Sequence, residues 1–65
     1  MKIMLNGEPA VIVCDTLQEL LLELGHDERA VATAVNKVFV PVAIRASTEL
    51  TDGDHIEIIA PMAGG

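Results

Sequence analysis

The sequence ends Pro61-Met62-Ala63-Gly64-Gly65, directly after the strongly apolar Ile56-Glu57-Ile58-Ile59-Ala60. The side chains of this tail are inert as acids, bases and nucleophiles. What it offers chemically is the carboxylate of Gly65. A carboxylate at neutral pH is a resonance-stabilised anion and a poor electrophile. It reacts with a nucleophile only after one oxygen has been made a leaving group. Pro61 has no N–H to donate and ends strand pairing. Gly64 and Gly65 have no side chains, so the backbone turns freely and another surface approaches it closely. Five extended residues reach at most roughly 16–18 Å. The sequence therefore predicts a folded body, residues 1–60, carrying a thin flexible arm, residues 61–65. A merely frayed terminus is the bland alternative.

The elements that must hold out such an arm come from a chain of 65 residues, enough for one domain. At this size only ~60% of the unfolded chain's surface is buried. The 51% hydrophobic content offsets that, and Phe39 is the only aromatic residue, so the core is aliphatic. A single cysteine rules out an internal disulfide framework. It also fits a reducing compartment, which places the protein in the cytoplasm. The net charge of −6 disfavours nucleic acid and points to a protein partner with a basic face. No signal peptide and no membrane span is expected.

Taken in order, residues 2–5 read as a strand and Asn6-Gly7 as a hairpin turn. A second strand follows over residues 8–14, with the β-branched run Val11-Ile12-Val13. Residues 16–24 read as a helix. Thr16 and Glu19 have capping-box spacing, and Leu17, Leu20, Leu21 and Leu24 form one apolar stripe with Leu22 off it. Residues 30–35 and 38–40 read as strands around an Asn36-Lys37 turn, and Pro41 stops the second. Residues 42–50 are ambiguous, with a short helical turn around Ala43, Ile44 and Ala46. Asp52-Gly53-Asp54 is a tight turn. Residues 55–60 form the last strand, whose Ile56, Ile58 and Ile59 suggest burial on both faces. The order predicts an α+β domain of the ubiquitin-like β-grasp type. It has a mixed sheet of four to five strands with one helix packed on one face.

Ala34-Val35-Asn36, Val40-Pro41, Leu50-x-Asp52-Gly53-Asp54-x-Ile56-Glu57-Ile58 and Pro61-x-x-Gly64-Gly65 together resemble the ThiS family of sulfur carriers in thiamine biosynthesis. The likeness covers nearly the whole chain. The MoaD-like small subunits of molybdopterin synthase share the ending but are usually longer. One departure is local: members of the thiamine branch often carry Arg after the Val-Pro and an aromatic residue a few positions on, where Val42 and Ala43-Ile44-Arg45 stand here. The resemblance implies that the first and last strands lie adjacent and parallel at the sheet centre. It also implies that an E1-like adenylyltransferase (ThiF-like), using ATP and Mg, adenylates Gly65. Sulfur from a donor such as a cysteine desulfurase then gives a thiocarboxylate, and a thiazole synthase (ThiG-like) consumes it. Gly64, Pro61, Met62 and Ala63 are then the residues a partner's channel recognises, because a Cβ at Gly64 or Gly65 would widen backbone that must thread it.

Such a carrier is not an enzyme; it needs no catalytic side chain, bound metal or intrinsic cofactor, and the sequence offers none. Cys14, next to the helix start, reads as a small core hydrophobe rather than a nucleophile. His26 and His55 lack ligand spacing and read as surface residues. Asp52 and Asp54 read as turn-stabilising rather than metal-binding. Two other functions stay open at this point. One is the MoaD-like role in molybdenum cofactor biosynthesis. The other is a β-grasp interaction module without covalent chemistry.

Overall fold

Asn6 and Gly7 take φ of 50° and 83°, the paired positive values with which a two-residue turn matches the twist of its flanking strands. They join β1 (Lys2–Leu5) to β2 (Glu8–Val11) in an antiparallel hairpin, with Leu5 opposite Glu8. This computed structural model describes residues 1–60. The expected arm, Pro61 to Gly65, lies outside the described residues.

α1 (Leu17–Glu23) crosses one face of the sheet. Thr16 caps it, its Oγ1 accepting from the Glu19 N–H at 3.2 Å. The return half of the expected capping box is different: the Glu19 carboxylate accepts from the Thr16 hydroxyl at 3.1 Å, not from the Thr16 backbone. Leu17, Leu20 and Leu21 are fully buried, and Leu22 is exposed as expected. Leu24 departs from the predicted stripe. It is the C-cap residue and is 44% exposed, because the chain turns away into Gly25 before reaching the core.

Beyond the helix, β3 (Ala32–Val35) and β4 (Val38–Val40) form a second hairpin around Asn36 and Lys37, and β5 (His55–Ile59) closes the sheet. The order is β2-β1-β5-β3-β4. β5 is parallel to β1 and antiparallel to β3. The sheet is thus mixed, five-stranded and covered by one helix, the ubiquitin-like β-grasp arrangement.

Three strand boundaries differ from expectation. β2 ends at Val11 rather than residue 14, although the Ile12 N–H still donates to the Met1 carbonyl at 2.8 Å. β3 starts at Ala32 rather than residue 30, because residues 27–30 are held in a turn. There the Asp27 carbonyl accepts from the Ala30 N–H and its Oδ1 from the Arg29 N–H. β5 ends at Ile59. Its burial also alternates: Ile56 and Ile58 face the helix, while Ile59 is 60% exposed. The expected two-faced burial is therefore corrected. The single helix covers only one side, and period-two geometry sends Ile59 to the other.

The ambiguous segment forms a short 3-10 helix, Val42–Ser47. Its Arg45 is the largest fully buried side chain. Its Nη2 donates to the Val31 carbonyl at 2.7 Å and its Nε to Thr33 Oγ1 at 3.1 Å, and Nη1 donates to the Glu28 carbonyl. The Thr33 hydroxyl passes the chain on, donating to the Val40 carbonyl at 2.8 Å. One cation thus ties the 3-10 helix to the connection before β3 and, through Thr33, to β4. Hydrogen bonds to a charged group contribute about 1.5–3 kcal/mol each, and stranded buried acceptors cost a further share.

Two stability predictions follow from these contacts. Arg45→Ala should cost more than about 3 kcal/mol, enough to unfold much of a chain whose total stability is of order 3–10 kcal/mol. A urea titration followed by circular dichroism measures this. Lys37 occupies the second turn position at φ 68°. There a side chain is strained, so Lys37→Gly should gain about 1 kcal/mol and raise the Tm by roughly 4–8 °C.

Candidate functional site

Any chemistry of the tail depends on how β5, the strand that leads to it, is held. Its start is set by the Asp52-Gly53-Asp54 turn. Asp52 Oδ1 accepts from the Lys2 N–H at 2.6 Å, and the Gly53 N–H donates to the Lys2 carbonyl at 2.7 Å. The Met4 N–H then donates to the Asp54 carbonyl at 2.9 Å, which puts β5 in register with β1. The Asp54 side chain is buried. It accepts from the Thr51 N–H at 2.8 Å, the Thr51 hydroxyl at 3.0 Å and Asn36 Nδ2 at 3.0 Å. Burial by itself pushes this carboxyl up. The hydrogen bonds from the Thr51 backbone, Asn36 and the Thr51 hydroxyl outweigh it and hold the group below the ordinary aspartate range.

Two asparagines, each the first residue of a hairpin turn at positive φ, flank β5 on opposite sides. Asn36 Oδ1 accepts from the His55 N–H at 3.0 Å. Asn6 Oδ1 accepts from the Ile58 N–H at 2.9 Å, while its Nδ2 donates to the Ile58 carbonyl at 3.3 Å. After Ile58 come only exposed Ile59 and exposed Ala60 before the predicted arm. Sequence reasoning read both asparagines as turn residues and missed these side-chain bonds. The available signal was the choice of Asn, whose side chain carries the same donor and acceptor as a peptide group.

The two sides of the body differ in chemistry. On the sheet face away from the helix, Phe39, Ile59 and Val11 are exposed at 65%, 60% and 78%, with Ala34 opposite Phe39 and Ala32 opposite Ile59. On the helix side, Asp15, Glu19, Glu23, Asp27 and Glu28 follow one another with only Arg29 to offset them. A shallow hollow of about 410 Å³ on the open face is lined by Met4, Asn6, Lys37, His55 and Glu57, among others.

The remaining candidates fall as follows. Cys14 is buried. Burial, and then the neighbouring Glu23 carboxylate, push its thiol above the ordinary cysteine range, in keeping with a small core hydrophobe. His55 is exposed and His26 half-buried. Among the described residues no group of three or more His, Cys, Asp or Glu side chains is placed to hold a metal ion, and no helix is long and apolar enough to cross a membrane. Pro61, Met62, Ala63, Gly64 and Gly65 lie outside the described residues.

Against this geometry, the ThiS family model matches residues 3–65. The chain is 39% identical over 62 residues to a sulfur carrier protein ThiS of Thermus thermophilus, covering 94% of this chain and 95% of that one. It is 41% identical over 66 residues to a thiazole synthase of Paramagnetospirillum magneticum, covering 100% of this chain but spanning only 20% of that protein. The crystal structure of a thiamine biosynthesis protein (ThiS) from Geobacter metallireducens superposes with a TM-score of 0.85 over 100% of both chains, at 26% identity.

The Asp54 contacts set a pH dependence. Its folded pKa lies below the unfolded value, so its stabilising contribution is complete above about pH 4 and is lost as the pH falls through the folded pKa. Acid titration of stability should show this loss, and Asp54→Asn should flatten that part of the profile.

Proposed function

The chain belongs to the ThiS family, and from that premise we propose that it carries sulfur for thiamine biosynthesis on the carboxylate of Gly65. The carrying observation is that the family match runs through residue 65 and so includes the Gly64-Gly65 end. That match favours the thiamine branch over the molybdopterin one, and sulfur carriage over a bare interaction module.

In this reading the protein is a cosubstrate and the catalytic groups belong to its partners. An E1-like adenylyltransferase holding ATP and magnesium brings a Gly65 carboxylate oxygen to the α-phosphorus, and pyrophosphate leaves. The carboxyl carbon is now an electrophile, because AMP is a good leaving group. The terminal sulfur of a donor persulfide, such as that of a cysteine desulfurase, attacks this carbon and AMP departs. A thiol then cleaves the acyl disulfide, releasing the thiocarboxylate and leaving the donor's sulfur in a new disulfide. The acceptor is a thiazole synthase. Support comes from the relative in which a stretch like this entire chain belongs to a protein named thiazole synthase. Carrier and acceptor held on one polypeptide meet at high effective concentration.

The body's contribution is recognition and reach. Its acidic helix side suits a partner with a basic face, which speeds encounter. Exposed apolar side chains such as Phe39 and Ile59 suit a second, drier contact.

Incubation with an activating enzyme, ATP, magnesium and a persulfide donor should add the mass of one oxygen-to-sulfur exchange, confined to Gly65. Deleting Gly65, or Gly65→Ala, should abolish the exchange with the circular dichroism spectrum and Tm unchanged. Loading of either variant at the wild-type rate would refute the role of Gly65.

A further inference from the structure

β1 and β5 pair through only two residue couples, Met4 with His55 and Leu5 with Ile56. At Asn6 the chain turns back into the hairpin after the four residues of β1, whereas on the other side of β5 the pairing with β3 runs as far as Ile59. The last backbone bond from this side is the Asn6 N–H to the Ile56 carbonyl at 2.8 Å. The next peptide groups facing that side are those of Ile58. With β1 gone, the Asn6 carboxamide meets them, accepting from the Ile58 N–H and donating to its carbonyl. One side chain thus supplies the pair of bonds that a continuation of β1 would have made.

Resting on the carrier reading above, we propose that Asn6 is a positioning residue for the transfer: it fixes the point and direction at which the chain leaves the sheet toward Gly65. Hydrogen bonding on both sides carries the rigid part of β5 to Ile58. Residues 61–65 then follow from a strand held on both sides as far as Ile58, and that strand sets their starting point. Without the carboxamide, the double-sided section ends at Ile56, and the carboxylate samples a wider volume inside the partner's cleft. In-line attack on phosphorus is sensitive to such placement.

The hairpin itself tests this cleanly. Gly-Gly and Asp-Gly form the same two-residue turn as Asn-Gly. Asn6→Gly keeps the turn and deletes both bonds to Ile58. Asn6→Asp keeps the acceptor but sets a carboxylate oxygen against the Ile58 carbonyl. The comparison variant is Asn36→Gly, which removes the matching bonds to Asp54 and His55 at the far end of β5. Two readouts are needed: amide hydrogen exchange of the free chain, and steady-state loading by the activating enzyme over a range of carrier concentrations, well below each Tm.

Asn6→Gly should speed exchange of the Ile58 amide about tenfold or more while the Ile3 amide keeps its protection. Its loading kcat should fall about tenfold to a hundredfold with KM little changed, since the docking body is intact. Asn6→Asp, which keeps the acceptor for the Ile58 N–H and loses only the bond to its carbonyl, should retain more Ile58 protection than Asn6→Gly and lose less kcat. Asn36→Gly should lower stability but leave kcat alone. Unchanged Ile58 protection in Asn6→Gly would overturn the clamp. Lost protection with wild-type kcat would overturn its role in positioning. Equal losses of kcat in Asn6→Gly and Asn36→Gly would reduce Asn6 to a structural residue and overturn the proposal. Failure of the wild-type chain to load with a competent enzyme would instead refute the carrier reading, a result distinct from all of these.

Discussion

The structure depends on the backbone hydrogen bonds of its central strand. β5 is bonded on one side to β1, at the other end of the sequence, and on the other side to β3. Both contacts are long-range, so neither forms until the chain has closed a large loop. Local structure alone, two tight hairpins and a helix of only seven residues, is marginal in water. Once β5 is in place, Ile56 and Ile58 pack with Ile3, Leu17, Leu20 and Leu21 in one aliphatic cluster. The same residues of β5 thus serve both the strand pairing and the core packing.

Where strands run out, side chains take over the work of the backbone. Asn6 and Asn36 pair with β5 where β1 and β3 have turned away. Asp52 and Asp54 hold the incoming end. Arg45 does the same for the irregular connection after the helix, gathering carbonyls that no strand reaches. In a small domain with few elements, polar side chains of the right shape substitute for missing secondary structure. The arrangement leaves one sheet face uncovered and the exit of β5 firmly held.

Much of this was legible in the residues. Asn6-Gly7 marked the first hairpin, the leucine spacing marked the helix, and Asp52-Gly53-Asp54 marked the last turn. These are local signals, set by φ preference and periodicity. The parts that were illegible are set by tertiary contacts. Ile59 has the same local pattern as Ile58, and its exposure follows from the absence of a second covering layer. Arg45, in the run Val42-Ala43-Ile44-Arg45-Ala46, carries no local mark of burial beyond being a lone charge among apolar neighbours. Its partners Glu28, Val31 and Thr33 are 12–17 positions away. For the tail, the Gly-Gly end and its proline gave an expectation of chemistry, on residues that lie outside the described ones. What holds the strand behind them required coordinates.

The hairpin turn carries a liability of its own. In an Asn-Gly pair the following backbone nitrogen attacks the side-chain carbonyl with little steric hindrance, expelling ammonia through a cyclic imide; such asparagines are among the thermolabile residues of proteins. At Asn6 the carboxamide oxygen accepts from the Ile58 N–H and its nitrogen donates to the Ile58 carbonyl, which restricts the side-chain rotation that attack by the Gly7 nitrogen requires. The same two contacts that steady the outgoing strand therefore also slow its chemical ageing. Each excursion that frees the carboxamide advances a clock whose product is an acidic residue at this position.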